Sequence, residues 1–178
     1  MRYGDYIKDS FDVFKANPAA GIVSCLAMII PIVNLVVIIN YMGMVKAAKA
    51  EGKPMEIGQL FDFEHAVDKI VGPLLVGIVG SCCFLLAFVL AFTMPILADK
   101  PGTPFMSAIK AAFAFGKGNF VPLTILSIIL GVVNMLGNLA CGIGVLVTFP
   151  VCIGALFLAY DDNRAAVEAA AAEGGITL

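Results

Sequence analysis

The chain has 178 residues, of which 61% are hydrophobic and 13% charged, with a formal net charge of −2 at pH 7. Soluble domains carry about 25% charged residues, and a core this small could not hide so much apolar side chain. The balance excludes an ordinary soluble domain, a disordered chain and a nucleic-acid binder, whose basic face eleven scattered Lys and Arg could not supply; a membrane protein remains.

Residues 3–17 predict an amphipathic helix. Tyr3, Ile7, Phe11 and Phe14 recur at spacings of 4, 4 and 3, opposite Asp5, Lys8, Asp9 and Asp12. Asn17-Pro18 ends it, and it is expected to lie in the membrane interface. Its charges occupy the place where a cleavable signal needs an apolar run, so the run that follows is expected to stay in the mature protein. That run, 16–45, holds 30 residues without Asp, Glu, Lys, Arg or His. A crossing helix needs about 20 residues, so a span near 19–45 is expected. Pro31, with Asn34 just after it, interrupts helical hydrogen bonding, which leaves a kinked span and a re-entrant hairpin both open.

Residues 46–69 are mixed, with a turn at Gly52-Lys-Pro54 and an aromatic piece, Leu60-Phe-Asp-Phe63. A second charge-free run of 29 residues, 70–98, predicts a span near 70–97, with Pro73 and Pro95 near its ends. Residues 104–115 predict another amphipathic helix, with Thr103 as N-cap, Pro104 at the first helical position and Gly116 as the stop. Phe105, Ile109 and Phe113 share its apolar face. The third run, 118–160, has 43 residues. It has room for spans near 119–136 and 143–160, reversing in the breaker-rich piece between Asn134 and Gly144. Residues 161–178 read as a polar, Ala-rich tail with a fraying helix.

The fold class expected is therefore all-α: a polytopic membrane helical bundle of about four spans plus interfacial amphipathic helices, with a single membrane domain over 1–160. Continuous apolar runs, rather than alternating strands of about ten residues, argue against an outer-membrane barrel. With four spans, Arg2, Lys8, Lys15, Lys100, Lys110, Lys117 and Arg164 share one side, and Lys46, Lys49, Lys53 and Lys69 the other. That 7:4 split favours cytoplasmic termini in a bacterial inner membrane.

Residues able to carry chemistry are sparse. His65 is the only histidine. Asp62, Glu64 and Asp68 are near it, but Glu64 points about 100° away on a helix, and a metal needs three or four converging ligands. His65 is read as part of a solvated face and as dispensable. Ser10, Ser24, Ser81, Ser107 and Ser127 lie in no nucleophile-elbow pattern, and Gly116-Lys-Gly118-Asn119 is a turn rather than a phosphate loop. The five cysteines lie in apolar runs and read as small packing residues. No catalytic residue, metal or cofactor is assigned, and the chain is read as non-enzymatic. Pumps and carriers keep mid-membrane charges for function, at a cost of about 2.5–3.5 kcal/mol each; these runs hold none.

The apolar runs do carry ordered faces. In the second, Gly80, Cys83, Ala87 and Ala91 form a small-residue stripe beside a ridge of Phe84, Phe88 and Phe92, read as facing lipid or a neighbouring copy. In the third, Thr124, Ser127, Gly131, Asn134 and Asn138 recur at 3, 4, 3 and 4, and Gly144, Thr148, Cys152, Ala155 and Ala159 at 4, 4, 3 and 4. Small faces let helices approach closely, and in lipid such packing drives association. Packing within the chain must use at least one stripe; four helices are not expected to absorb all three. Asn34, Asn134 and Asn138 are read as hydrogen-bonding between helices, with pore lining as the alternative.

The two halves echo one another. Phe14-Lys15-x-Asn17 precedes the first run and Phe115-Gly-Lys117-x-Asn119 the third, each leading to an Asn 15–17 residues on, Asn34 and Asn134. Either a duplicated helix-plus-span unit or coincidence in so apolar a chain produces this.

These residues also carry a resemblance. Phe11-x-x-Phe14-Lys15-x-Asn17, Ile30-Pro31, Gly43-x-x-x-Ala47 leading to Gly52, Leu60-Phe61-x-Phe63, Gly102-x-Pro104-Phe-x-x-Ala108 and Gly142-Ile-Gly144-x-Leu-Val-Thr-x-Pro150 resemble a broad group of small bacterial integral-membrane proteins of poorly defined function. The likeness covers residues 3–160. Within that group the chain is similar to the PopA-type lipid-trapping membrane proteins of predatory bacteria, which implies a helical homo-oligomeric bowl enclosing lipid. The expected function is a non-enzymatic, self-associating membrane protein that encloses or organises lipid; the alternative is a small pore or transporter subunit. The expected partners are membrane lipid and further copies of the chain in a cyclic homo-oligomer, with no nucleic acid.

Overall fold

A computed structural model describes residues 2–27, 31–52, 54–64, 67, 69–71, 90–139 and 144–178, with only the backbone of 31, 32, 34 and 139. All regular structure among the described residues is helical. In chain order the main helices are α1 (Tyr3–Ala16), α2 (Pro18–Leu26), α3 (Pro31–Glu51), α4 (Ile57–Leu60), α5 (Thr93–Asp99), α6 (Phe105–Gly118), α7 (Phe120–Leu139), α8 (Val145–Asp162) and α9 (Arg164–Glu173).

The echo is realised as local structure. α1 and α6 each have 14 residues, and each stops at an asparagine. The Asn17 N–H bonds the Val13 and Phe14 carbonyls at 3.1 and 3.0 Å, and the Asn119 N–H bonds Phe115 and Gly116 at 3.2 and 3.1 Å. Each asparagine side chain donates back to the carbonyl four residues earlier, Asn17 to Val13 at 3.3 Å and Asn119 to Phe115 at 3.0 Å. These bonds satisfy carbonyls that a helix end leaves open. Pro18 then opens α2, where a missing N–H costs nothing.

The first apolar run is two helices rather than one span. α2 has nine residues, about 14 Å at 1.5 Å per residue, too short to cross a bilayer alone. α3 returns beside it. The ends of this hairpin meet: the Met55 N–H donates to Asn17 Oδ1 at 2.9 Å, and Lys49 pairs with Asp9 at 2.7 Å. α7 and α8 form a second hairpin, with Cys152 Sγ 3.3 Å from the Leu130 carbonyl and Gly137 seated against Thr148. At the reversing ends the two hairpins touch, Cys25 Sγ lying 3.8 Å from the Val145 carbonyl. The second run, expected to span 70–97, lies mostly outside the described residues.

Helix α8 is the hub: it touches α1, α2, α3, α5, α7 and α9. Small residues allow this. Gly154 lies so close to Ser10 of α1 that a Cβ would overlap the hydroxyl, which donates to the Val151 carbonyl at 2.8 Å. That contact sets which face of α1 packs against protein. Its buried residues are Tyr6, Ser10 and Phe14, while Phe11 is 38% exposed. In helix α6, Ala108, Ala111, Ala112 and Phe115 are buried while Phe113 is exposed, because α6 packs on the alanine-rich α9. It starts after Pro104 and runs through Gly116 to Gly118. Within 161–178, Val167 and Ala171 of α9 are buried.

Candidate functional site

The apolar runs end on charges, and the structure gathers those charges into a seam. Lys46, Asp99 and Asp161 each stand one residue beyond a charge-free run. The Asp99 carboxylate has no exposed surface, pairs with Lys46, and takes a 2.9 Å ion pair from Arg164. The Tyr160 hydroxyl donates to it at 3.1 Å. One carboxylate thus ties α3, α5, α8 and α9, and three donors offset its loss of water. Next to it Lys100 reaches Glu168 at 2.7 Å. That hydrogen bond holds the Glu168 carboxyl below its ordinary range, with help from the Arg164 charge. On the far flank Arg2 grips Asp162 through Nε at 3.2 Å and Nη2 at 2.9 and 3.0 Å, and the Tyr6 hydroxyl donates to the same carboxylate at 3.0 Å. Burial is the main force raising the Tyr6 phenol above its ordinary value.

A cleft of about 670 Å³ opens beside this seam, between α3, residues 56–64 with Lys69, and the end of α5. Asn40 closes its floor, donating to the Leu60 and Asp62 carbonyls at 3.0 and 2.8 Å. Lys69 is 6% exposed and donates to the Asp62 carbonyl at 3.3 Å. Among the described residues no three His, Cys, Asp or Glu side chains converge on a common point. His65 and Asp68 lie outside the described residues.

The opposite character belongs to α7. Two described helices, Phe120–Asn138 and Val145–Asp162, are long and apolar enough to cross a membrane. The buried face of α7 is Leu123, Leu126 and Leu130, while Val121, Ile125, Ile128, Val132, Met135 and Leu136 are 40–63% exposed. The small stripe Thr124, Ser127, Gly131, Asn134 and Asn138 follows the leucines by one position, so it is rotated about 100° from the packed face. It flanks the α7–α8 contact rather than forming it: Gly131 and Asn138 are exposed, and a Cβ on Gly131 would meet nothing within 4 Å. Asn138 donates to the Asn134 carbonyl in its own helix at 3.1 Å. Thr124 Oγ1 and Asn134 Oδ1 are buried without a partner, as is Thr148 Oγ1 on α8.

The α8 stripe is used within the chain. Thr148 and Cys152 meet α7, Ala155 and Ala159 are fully buried, and Gly144 precedes the first turn. Of the second-run residues, Gly80, Cys83, Ala87, Phe84 and Phe88 lie outside the described residues. Ala91 is half-buried in the turn before α5. Phe92 is a correction: it has no exposed surface, stacks on Phe115 at 5.4 Å and meets Tyr160 edge-on at 5.8 Å, so it is a core aromatic and not part of an outer ridge.

The reading of charge-free runs could not show that Asp99 is buried, since it lies just past a run boundary. The signal present was positional: three apolar runs end on Lys46, Asp99 and Asp161, charges of both signs at one kind of boundary. Comparison with family models, with curated proteins and with solved structures finds no match.

Proposed function

We propose that this chain is a non-enzymatic integral protein of the bacterial inner membrane that associates with copies of itself and encloses or organises lipid. The observation that carries the reading is the outward face of α7, a helix of membrane-crossing length. It leaves Val121, Ile125, Ile128, Val132 and Met135 uncovered. Water does not favour such a stripe, whereas hydrocarbon matches it. Beside it the open small stripe through Gly131 offers a second copy a surface for close helix approach. Head-to-tail use of one such surface closes most economically as a ring, in line with the likeness to lipid-trapping membrane proteins.

Native mass spectrometry from mild detergent, with lipids retained, tests this. A defined homo-oligomer carrying lipid is expected; a lipid-free monomer in detergent and in nanodiscs would refute it. The alternative, a small pore or transporter subunit, takes its support from Asn134 and Asn138 on the flank of α7. Ion or solute flux through reconstituted vesicles would favour it, and sealed vesicles would remove it.

A further inference from the structure

Four segments of the chain, 2–15, 46–69, 99–117 and 161–178, carry all 11 Lys and Arg and all 13 Asp and Glu. The structure ties them into a closed circuit. Asp9 of the first meets Lys49 of the second at 2.7 Å. Lys46 of the second pairs with Asp99 of the third. Lys100 of the third meets Glu168 of the fourth at 2.7 Å. Asp162 of the fourth meets Arg2 of the first at 2.9 Å.

The hydrocarbon of a bilayer is about 30 Å thick, so groups in direct contact cannot stand on opposite sides of it. The ends of each apolar run agree. Asn17 bonds Met55 across the first run. Lys69 and Ala98, at the two ends of the second, line one cleft. The Tyr3 hydroxyl donates to the Pro122 carbonyl at the start of the third run, while Arg2 beside it holds Asp162 just past the end. Far from the seam, Leu26 is 51% exposed and Cys25 lies against Val145.

We propose that the chain meets the bilayer from one face: every apolar run enters from that face and returns to it, and the 24 charged residues, 11 plus 13, stand on that side with none on the other. The proposal rests on the membrane reading above and replaces the alternation of loops that four independent spans would give. The partner is the hydrocarbon of the bilayer, which matches the exposed Val121, Ile125, Ile128, Val132, Met135 and Leu136 of α7.

Single cysteines at exposed positions, one per segment, test it: Asp12→Cys, Ala50→Cys, Lys117→Cys and Glu173→Cys. The native cysteines lie within the apolar runs, so the wild-type chain is the blank. In sealed vesicles a membrane-impermeant maleimide should label all four variants from the same face and none from the other. Any variant labelled from the opposite face to the rest overturns the proposal. Trypsin applied to either face of vesicles holding the wild-type chain gives the same answer without substitution: cleavage from one face supports the proposal, and cleavage from both refutes it. Alkaline carbonate extraction keeps the two claims apart. A chain that washes off refutes the membrane reading itself, whereas a chain that stays with its segments divided between faces refutes only the one-sided arrangement.

Discussion

Helices α7 and α8 are neighbouring arms of one hairpin, similar in length and both apolar, yet they are used in opposite ways. In α8, 44% of the apolar window is buried, against 22% in α7. The difference lies in side-chain size rather than hydropathy. α8 brings Gly154, Ala155 and Ala159 to its contacts, so α1, α3 and α5 can approach its backbone. α7 turns Leu123, Leu126 and Leu130 inward and leaves its larger β-branched residues outside. Apolar content alone says that a helix avoids water; the distribution of small residues says whether protein or lipid takes its place.

The comparison can be broken most severely at the charged end of α8. Asp99→Ala leaves Lys46 and Arg164 facing each other without their shared carboxylate, and Tyr160 without its acceptor. Both cations keep about a third of their surface in water. The loss should therefore fall at about 3 kcal/mol, the low end for breaking a buried pair, measured by chemical denaturation in detergent. Gly154→Leu comes next. The new side chain meets Ser10 and then Val45, and overpacking of this kind costs about 1–3 kcal/mol. Its counterpart on α7, Gly131→Leu, projects into open space and should change stability by less than about 0.5 kcal/mol. It should nonetheless weaken the homo-oligomer, read as a shift toward monomer in native mass spectrometry.

Ser10→Ala should cost about 1 kcal/mol, the usual net value of one hydrogen bond, because Ser10 Oγ then no longer donates to Val151. The smallest effect concerns pH. The Glu168 carboxyl is held below its ordinary 4.5, first by the Lys100 hydrogen bond. A depressed carboxylate pKa gives stability that is present above the unfolded value and lost as pH falls through the folded one. Amide protection in α9, corrected for the intrinsic pH dependence of exchange, should thus be steady above pH 4.5 and fall below it, modestly, since the pair is partly exposed.

Much of this architecture was legible in the residues. The helix-ending Asn17, the reversal between Asn134 and Gly144, and the small face of α8 all follow from turn chemistry and spacing, whereas α6 runs past its expected stop at Gly116 to Asn119. Which face of α1 and of α6 packs against protein was not legible. A 3–4 spacing identifies several apolar stripes on one helix, and the choice among them depends on the partner: Gly154 selects Ser10, and the alanines of α9 select those of α6. Phe92 shows the same limit, for a Phe ridge looks alike from sequence whether it meets lipid or Phe115 and Tyr160. The hairpin in the first run was left open by Pro31, since a proline breaks a helix without saying how sharply the chain turns. What decided it was contact between residues far apart in sequence, Asp9 with Lys49 and Asn17 with Met55.

The outward face of α7 supports the functional reading, and its surroundings can be measured directly. A nitroxide at Ile128, which is 55% exposed at the middle of that face, reports whether oil or water surrounds it. In reconstituted vesicles the account predicts fast relaxation by dissolved oxygen and little by a water-soluble nickel chelate. A label open to the chelate, with oxygen relaxation no greater than at an exposed site such as Glu173, would contradict it.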